Sequence, residues 1–460
     1  VRQNKSMQSA VTNHFRFSLK TLGCKANVYD SLVLERELME LGGVRDELDP
    51  QVFLVNSCTV TAEADKQSRR ELILARRQHP NTVTIMTGCS AEVANSNEKT
   101  SYVDHLVPNH AKSKLRTIVA HSLGLELPVA ASEQTSEVYW GQLPEFAGRT
   151  RAFLKVQEGC NDFCTYCIIP YARGKSRSVP LEQVLTEINR LQVQGVREVV
   201  ITGTNIADWG KEFSSSIEDL VDEILRRTAI PRIRLSSLDP SEISERLLTL
   251  LANEPRLMPH VHLSLQSPVS RVLRAMKRDY RSENVVQALE AIARAGDSRG
   301  EPIFVGMDII AGFPSESVEE HCEGLELLKS LPWMRMHVFP YSEREGTPAL
   351  KIPGSVAPAD RKARAAELMV LSDRRHEQFA RSAIGHTTSQ VLIETTHRGS
   401  ELESNFNYVV GHAPNYSRVL ARVASNDNIE KFRNQFISVS IEDVIPKPHR
   451  DWTLTGTAIL

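Results

Sequence analysis

A chain of 460 residues, 41% hydrophobic and 24% charged, has the composition of a soluble globular protein and the length of about three ~150-residue domains. Its 55 Lys and Arg nearly balance 57 Asp and Glu, so no global basic field announces a nucleic-acid partner, and any such contact must come from local patches. No apolar run reaches the ~18 residues of a transmembrane helix, and residues 1–13 lack the apolar core of a signal peptide and read as a polar tail. Seven cysteines, an odd and sparse set, argue against a secreted disulfide scaffold and for a reducing cytoplasm.

Residues 14–125 read as strand–helix repeats. Short apolar runs at 15–23, 52–57 and 83–88 have strand length. Helical patterns follow at 31–42, ended by Gly42-Gly43, and at 62–78, ended before Pro80. The alternation predicts a parallel α/β sheet. Residues 126–150, with Pro128, Pro144 and Gly148 and no period, read as a linker. From 151 to 345 the alternation resumes at larger spacing. Strands are expected at 153–159, 198–203, 232–238, 261–266, 304–313 and 336–341, and helices at 181–195, 283–296 and 318–331. Six such units predict a barrel or partial barrel, with active groups at the C-terminal strand ends. Residues 358–384 form one charged helical pattern. Alternating segments at 390–395, 408–413, 418–423 and 436–445, with the tail 453–460, predict a small antiparallel barrel.

The cysteines carry the chemistry. Cys24, Cys58 and Cys89 each follow one of the first three strands, and parallel strands end on one edge, so three thiols spread along the chain converge there. Three unrelated core thiols are the alternative. Cys160, Cys164 and Cys167 form a C-x3-C-x2-C loop after the first strand of the second block. Structural zinc takes four ligands, and no fourth Cys or His lies nearby; a four-iron cluster takes thiolates, and three would leave one iron open to a small chelating molecule. Cys322, in a helical pattern away from any strand end, reads as a buried structural thiol.

The stretch CNDFCTYC resembles the cluster loop of radical S-adenosylmethionine enzymes, and the spread Cys24, Cys58 and Cys89 resemble the extra cluster of their methylthiotransferase branch. TLGCKANVYDS, VNSCTVTAEADKQSR, TGCSAE, EGCNDFCTYCIIPYARGKSRS, LQSP, GFPSES and VFPYSEREGTPA match family patterns along nearly the whole chain. The resemblance implies an N-terminal methylthiotransferase domain (14–125), a radical S-adenosylmethionine core (146–380) built as a partial six-unit barrel, and a TRAM-like RNA-binding barrel (381–460). It implies that Cys160, Cys164 and Cys167 hold a [4Fe-4S] cluster whose open iron binds S-adenosylmethionine, yielding a 5′-deoxyadenosyl radical. Cys24, Cys58 and Cys89 would hold a second cluster carrying the sulfur to be inserted. A second S-adenosylmethionine would supply the methyl group.

Further cofactor contacts rest on the same resemblance. Gly203, Thr204 and Asn205 follow the second barrel strand, where the superfamily presents backbone to the methionine amino group; an ordinary turn is the alternative. Ser236, Ser264 and Gln266 lie at later strand ends and could bond the ribose or carboxylate, or be satisfied buried polar groups. Tyr166 would pack on the adenine or shield the cluster. Ile310 and Gly312, with Val338 and Phe339, are adenine-wall candidates or plain core. Pro268 and Ser270 depart from the family's Gly and Asp. His260 and His262 read as structural histidines or as substrate contacts.

Three basic groups could meet RNA: Arg69, Arg70, Arg76 and Arg77; Arg173, Lys175 and Arg177; and Arg361, Lys362, Arg364, Arg374 and Arg375. Solvated faces are the plain reading. Phe406, Tyr408 and Tyr416 could stack bases or fill the small barrel. The motifs most resemble enzymes that add a methylthio group to carbon 2 of N6-threonylcarbamoyladenosine beside the tRNA anticodon. Relatives acting on isopentenyladenosine, or on a ribosomal-protein aspartate, are the alternatives, and a non-catalytic iron–sulfur RNA-binding protein is a different class. The implied partners are tRNA, a reducing electron-transfer protein and a sulfur source, with no membrane.

Overall fold

The computed structural model describes residues 14–94, 102–127, 139–145, 149–397, 406–424, 428–446 and 452–459. The tail 1–13 and much of the expected linker lie outside these. Two units form: Val1–Pro144 with Ile168–Gly174, and Glu145–Cys167 with Lys175–Leu460.

In the first unit, β1 (Phe15–Thr21), α1 (Lys25–Glu40), β2 (Gly43–Arg45), β3 (Val52–Ser57), α2 (Ala62–Gln78), β4 (Val83–Gly88), α3 (Cys89–Val93), β5 (His105–Val107), α4 (Leu115–Leu123) and α5 (Ile169–Arg173) follow in chain order. The sheet runs β2-β1-β3-β4-β5, and every pair is parallel. β2 and β5, three residues each, are too short to show a period. Helix α1 starts six residues before its expected position. Its first turns bury the polar Asn27 and Asp30 beside Tyr29, so no apolar stripe marks them. Asp30 shares its carboxylate between Lys112, at 2.6 Å, and Arg173, at 3.4 Å, all three almost fully buried. Removing the shared carboxylate leaves two cations in the interior. Asp30→Ala is therefore expected to cost about 3–5 kcal/mol in a urea unfolding titration; a loss below about 1 kcal/mol would contradict this.

The second unit opens with β6 (Arg151–Lys155). A ribbon follows, β7 (Gln157–Glu158) paired with β8 (Arg177–Ser178). The chain continues through α6 (Leu181–Val193), β9 (Glu198–Thr202), α7 (Ile217–Arg227), β10 (Arg232–Leu235), β11 (Ser237–Leu238), α8 (Glu245–Asn253), β12 (His260–Gln266), α9 (Ser270–Ala275), α10 (Ser282–Arg299), β13 (Phe304–Ala311), α11 (Val318–Ser330), β14 (Arg335–Pro340) and α12 (Pro358–Arg381). Its two parallel sheets run β10-β9-β6 and β11-β12-β13-β14. The expected strand 232–238 changes partner at Ser236: β10 pairs with β9, and β11 pairs with β12. The result is the expected six-position partial barrel. Helix α12 backs β14, where the Ser372 hydroxyl bonds both the N–H and the C=O of Met336.

A closed barrel ends the chain: β15 (Thr387–His397), β16 (Phe406–His412), β17 (Arg418–Ala424), β18 (Phe436–Pro446) and β19 (Trp452–Ile459), ordered β15-β16-β17-β19-β18. It is not wholly antiparallel as expected, because β17 and β19 pair in parallel. The chain crosses through β18 between them, so both run the same way when they meet at the seam. Val391, Ile393, Val409, Val419, Ala421, Val439, Ile441 and Leu454 fill its core.

An ionic cluster links this barrel to the βα barrel. Glu198 is fully buried; burial opposes its charge, but Arg234, Arg151 and Arg232 overcome that and hold its carboxyl at about 2. Arg151 also reaches Glu394 on β15 at 2.8 Å, and Arg232 donates to the His412 carbonyl. The Tyr416 ring lies 4.6 Å from the Arg234 guanidinium and stacks on His412. Tyr416 is thus committed to internal packing, and Tyr408 is buried. The Phe406 side chain lies outside the described residues.

Candidate active site

In the first unit, β1, β3 and β4 are adjacent, and Cys24, Cys58 and Cys89 come at or just past their C-terminal ends. The turn before Cys24 is tight: Gly23 has φ +96°, and a Cβ there would stand 2.8 Å from the Cys58 sulfur. Only glycine allows that backbone so close. Asn27 braces the edge by donating to the carbonyls of Leu22 and Ser57. The Asn109 amide lies 3.8 Å from the Cys89 sulfur. Cys58 and Cys89 are buried and Cys24 is exposed, and no cysteine of the chain is in a disulfide. Burial pushes the Cys58 thiol up to about 11, and the neighbouring Cys89 and Cys24 add to it. A thiol so placed ionises only beside added positive charge. Three soft sulfurs on one edge therefore fit an iron–sulfur cluster.

In the second unit, the C-x3-C-x2-C loop leaves β7 through Gly159, at φ +80°. The Cys167 N–H donates to the Cys164 carbonyl, and the Thr165 N–H to the Met276 carbonyl, which ties the loop to the end of α9. Burial raises both the Cys160 and Cys164 thiols. This donor set fits a cluster in the same way.

Around the loop lies a buried charged group that the sequence did not announce. Arg278 donates to the Cys164 sulfur at 3.2 Å, to the Ser264 carbonyl at 2.8 Å and to the Tyr280 hydroxyl at 2.9 Å, and it pairs with Asp239. Burial raises Asp239 to about 6 against the pull of Arg278, and burial raises Glu242 to about 7 with help from Asp239. Asn205 donates to Glu242 at 3.1 Å. Charges gathered this densely at strand ends mark a binding site. Their signal in the sequence was faint: DPSE stands just past an expected strand and MKRDY about ten residues past another, and solvated loops read the same way.

The expected cofactor contacts divide. The N–H groups of Thr204 and Asn205 both donate to the Gln157 side chain, and Gly203 leaves room for it, with a Cβ there only 2.8 Å from its oxygen. The Ser236 hydroxyl is buried and, among the described residues, has no hydrogen-bond partner. Ser264 offers its carbonyl to Arg278 and Tyr280. Gln266 takes a left-handed φ of +62° where β12 shifts register against β13. Tyr166 packs edge-on to Phe313. Ile310 and Phe339 are register partners on one face, and alternation puts Val338 on the opposite face, with Met336. Gly312 has φ +71°, with Arg361 against it. Residues 267–270 serve local bonds, Ser282 donating to the Pro268 carbonyl and lying 2.8 Å from the Ser270 hydroxyl.

Several basic residues are spoken for. Arg173 is buried, neither a solvated loop nor a phosphate contact. Arg361 pairs with Glu343, Arg364 with Glu316, Arg76 with Asp104 and Arg69 with Asp65, while Arg375 covers Trp333. Cys322 is exposed, not buried, because α11 turns that position outward. His260 stacks on Phe304 and touches Tyr416, whereas His262 faces Asp308. Among the described residues, no helix is long and apolar enough to cross a membrane.

Arg278→Gln keeps a donor but loses the charge. It is expected to weaken S-adenosylmethionine binding by about tenfold or more in equilibrium dialysis. Unchanged binding would make Arg278 a brace for the loop only.

An open βα barrel with a three-cysteine loop at its strand ends defines the radical S-adenosylmethionine class. The family description "Radical SAM superfamily" matches residues 154–328, and "Uncharacterized protein family UPF0004" matches 16–107. The chain is 36% identical over 387 residues to the threonylcarbamoyladenosine tRNA methylthiotransferase MtaB of Aquifex aeolicus, covering 82% of this chain and 93% of that one. It is 32% identical to the protein of the same name from Bacillus subtilis, covering 87% and 89%. It is also 32% identical to the tRNA-2-methylthio-N(6)-dimethylallyladenosine synthase of Bacillus subtilis, covering 82% and 76%. In fold it resembles the radical S-adenosylmethionine methyltransferase TsrM of Kitasatospora setae, with a TM-score of 0.54, 16% identity, and 82% and 77% of the two chains covered. The chain belongs to the radical S-adenosylmethionine methylthiotransferase family, enzymes that transfer a sulfur-containing group. A [4Fe-4S] cluster and S-adenosylmethionine are the cofactors of that superfamily.

Proposed function

We propose that this protein inserts sulfur and a methyl group at carbon 2 of N6-threonylcarbamoyladenosine next to the anticodon of tRNA. The observation that carries this reading is the pair of three-cysteine sets, each gathered at strand ends of its own unit. Relatives that carry the threonylcarbamoyladenosine name reach 36% and 35% identity, against 32% for the dimethylallyladenosine synthase, which favours that nucleoside over isopentenyladenosine.

In this reading Cys160, Cys164 and Cys167 hold one [4Fe-4S] cluster, and Cys24, Cys58 and Cys89 hold a second. Together with S-adenosylmethionine these supply radical and sulfur-transfer chemistry that no acid–base side chain could deliver to an aromatic C–H bond. The protein's own residues bind and orient. Arg278 and Asp239 set the charge beside the Cys164 sulfur, and the buried Ser236 hydroxyl, unpaired among the described residues, bonds the cofactor. Ile310 and Phe339 offer an apolar wall that excludes water. The C-terminal barrel contributes RNA recognition, and an electron-transfer protein and a sulfur source serve as partners in the cytoplasm.

The test is mass spectrometry of tRNA nucleosides from cells lacking the protein. The methylthio derivative of N6-threonylcarbamoyladenosine should vanish and its precursor should accumulate. Loss of the isopentenyladenosine derivative instead would overturn the assignment.

A further inference from the structure

His262, Asp308 and His337 stand on three neighbouring strands, β12, β13 and β14, and meet at one point. The His262 Nε2 lies 3.1 Å from Asp308 Oδ1, and the His337 Nδ1 lies 3.4 Å from the same oxygen. Asp308 and His337 are register partners. Alternation assigns the group to a face. On β13 the fully buried Val305, Met307 and Ile309 share one face, so the more exposed Asp308 and Ile310 take the other, inner one, and their register partners His337 and Phe339 do likewise on β14. The three residues therefore form a polar layer inside the βα barrel. It lies two residues, about 7 Å, below the apolar wall of Ile310 and Phe339.

This layer is built and open. Gly306, the register partner of His262, leaves the imidazole its place; a Cβ there would come within 3.1 Å of His262 Nδ1. His262 is 12% exposed, whereas Asp308 is 27% and His337 is 45% exposed. Although burial opposes its charge, the two histidines hold the Asp308 carboxyl well below the usual range, so it stays an acceptor. With Nδ1 turned to Asp308, His337 presents Nε2 to the interior. The layer thus offers a fixed anionic acceptor beside two imidazoles, under an apolar wall.

We propose that the His262–Asp308–His337 group recognises the polar substituent on the substrate adenine, with His337 bonding its carboxylate and Asp308 accepting from its hydroxyl or ureido N–H. This deepens the function proposed above and rests on it. A threonylcarbamoyl group carries all of these polar atoms. A dimethylallyl group would bury the same three side chains with nothing to bond, and a polar site rejects an apolar analogue on that ground.

The experiment is fluorescence anisotropy with reconstituted protein and three anticodon stem-loops: one carrying N6-threonylcarbamoyladenosine, one N6-isopentenyladenosine and one plain adenosine. Wild type should bind the first about 10- to 100-fold more tightly than the others, the worth of one or two charge-assisted bonds. His337→Phe, at a half-exposed position, should erase most of that preference while binding to the plain stem-loop is kept; Asp308→Asn should do the same. Iron content reports that each variant has folded. Should wild type show no preference for the threonylcarbamoyl stem-loop, the function above fails. Should wild type prefer it and both variants keep the full preference, only the role of this group fails. One equivalent of zinc in wild type, lost in Asp308→Asn, would make the group a metal site and overturn the proposal.

Discussion

Replacing Cys160, Cys164 and Cys167 together by alanine is expected to halve the iron, from about eight to about four per chain, and to abolish cleavage of S-adenosylmethionine. The loop carrying them is tied down by bonds that do not involve the sulfurs. Thr165 donates through its N–H to Met276 and through its hydroxyl to Ala275, and Ala349 donates to the Thr165 carbonyl. The loop should therefore keep its path when the thiols are gone, and the loss should be one of ligands. Arg278 will lose its contact with the Cys164 sulfur but keeps Asp239, Tyr280 and the Ser264 carbonyl, so its charge remains paired. Iron measured by chelation and 5′-deoxyadenosine measured by chromatography read the two effects separately. Full iron in the triple variant would show that these cysteines hold no cluster.

Replacing Cys24, Cys58 and Cys89 by alanine should also remove about four irons, with a different consequence. These cysteines belong to the other unit. S-adenosylmethionine should still be cleaved to 5′-deoxyadenosine, and the methylthio product should fall below detection. Cys58 and Cys89 are buried, and loss of one sulfur from each leaves small voids and a modest stability loss of about 1 kcal/mol each. Normal thiomethylation by this variant would remove the sulfur-carrying role from the N-terminal cysteines.

Much of this architecture was legible before any coordinates. The strands 52–57 and 83–88 and the helix 62–78 lie at their expected limits, because each is a compact apolar or amphipathic run with a clear stop. Both cysteine sets were legible for the same reason, since a thiol just after an apolar run falls on the functional edge of a parallel sheet. What escaped was polar and long-range. Helix α1 hides its first turns because Asn27 and Asp30 face inward to partners far along the chain. The Glu198 cluster escaped because charged residues inside strand runs look like surface, and only the C-terminal barrel that covers them makes them interior. For that reason the barrel is not a detachable RNA-binding module. Removing residues 385–460 would take Glu394, His412 and Tyr416 from Arg151, Arg232 and Arg234. Arg278 and the His262–Asp308–His337 group escaped because their partners are distant in sequence and converge only when the barrel curls.

The central claim is that both cysteine sets act in one chain to thiomethylate a threonylcarbamoyl-modified adenosine. Its most direct test is a single reaction. Protein reconstituted with iron and sulfide is mixed with S-adenosylmethionine, a low-potential reductant and an anticodon stem-loop carrying N6-threonylcarbamoyladenosine, and the digested nucleosides are weighed by mass spectrometry. The account predicts the 2-methylthio derivative of that nucleoside, with 5′-deoxyadenosine formed alongside it. Abundant 5′-deoxyadenosine with the nucleoside unchanged, while an isopentenyladenosine stem-loop is methylthiolated under the same conditions, would contradict it.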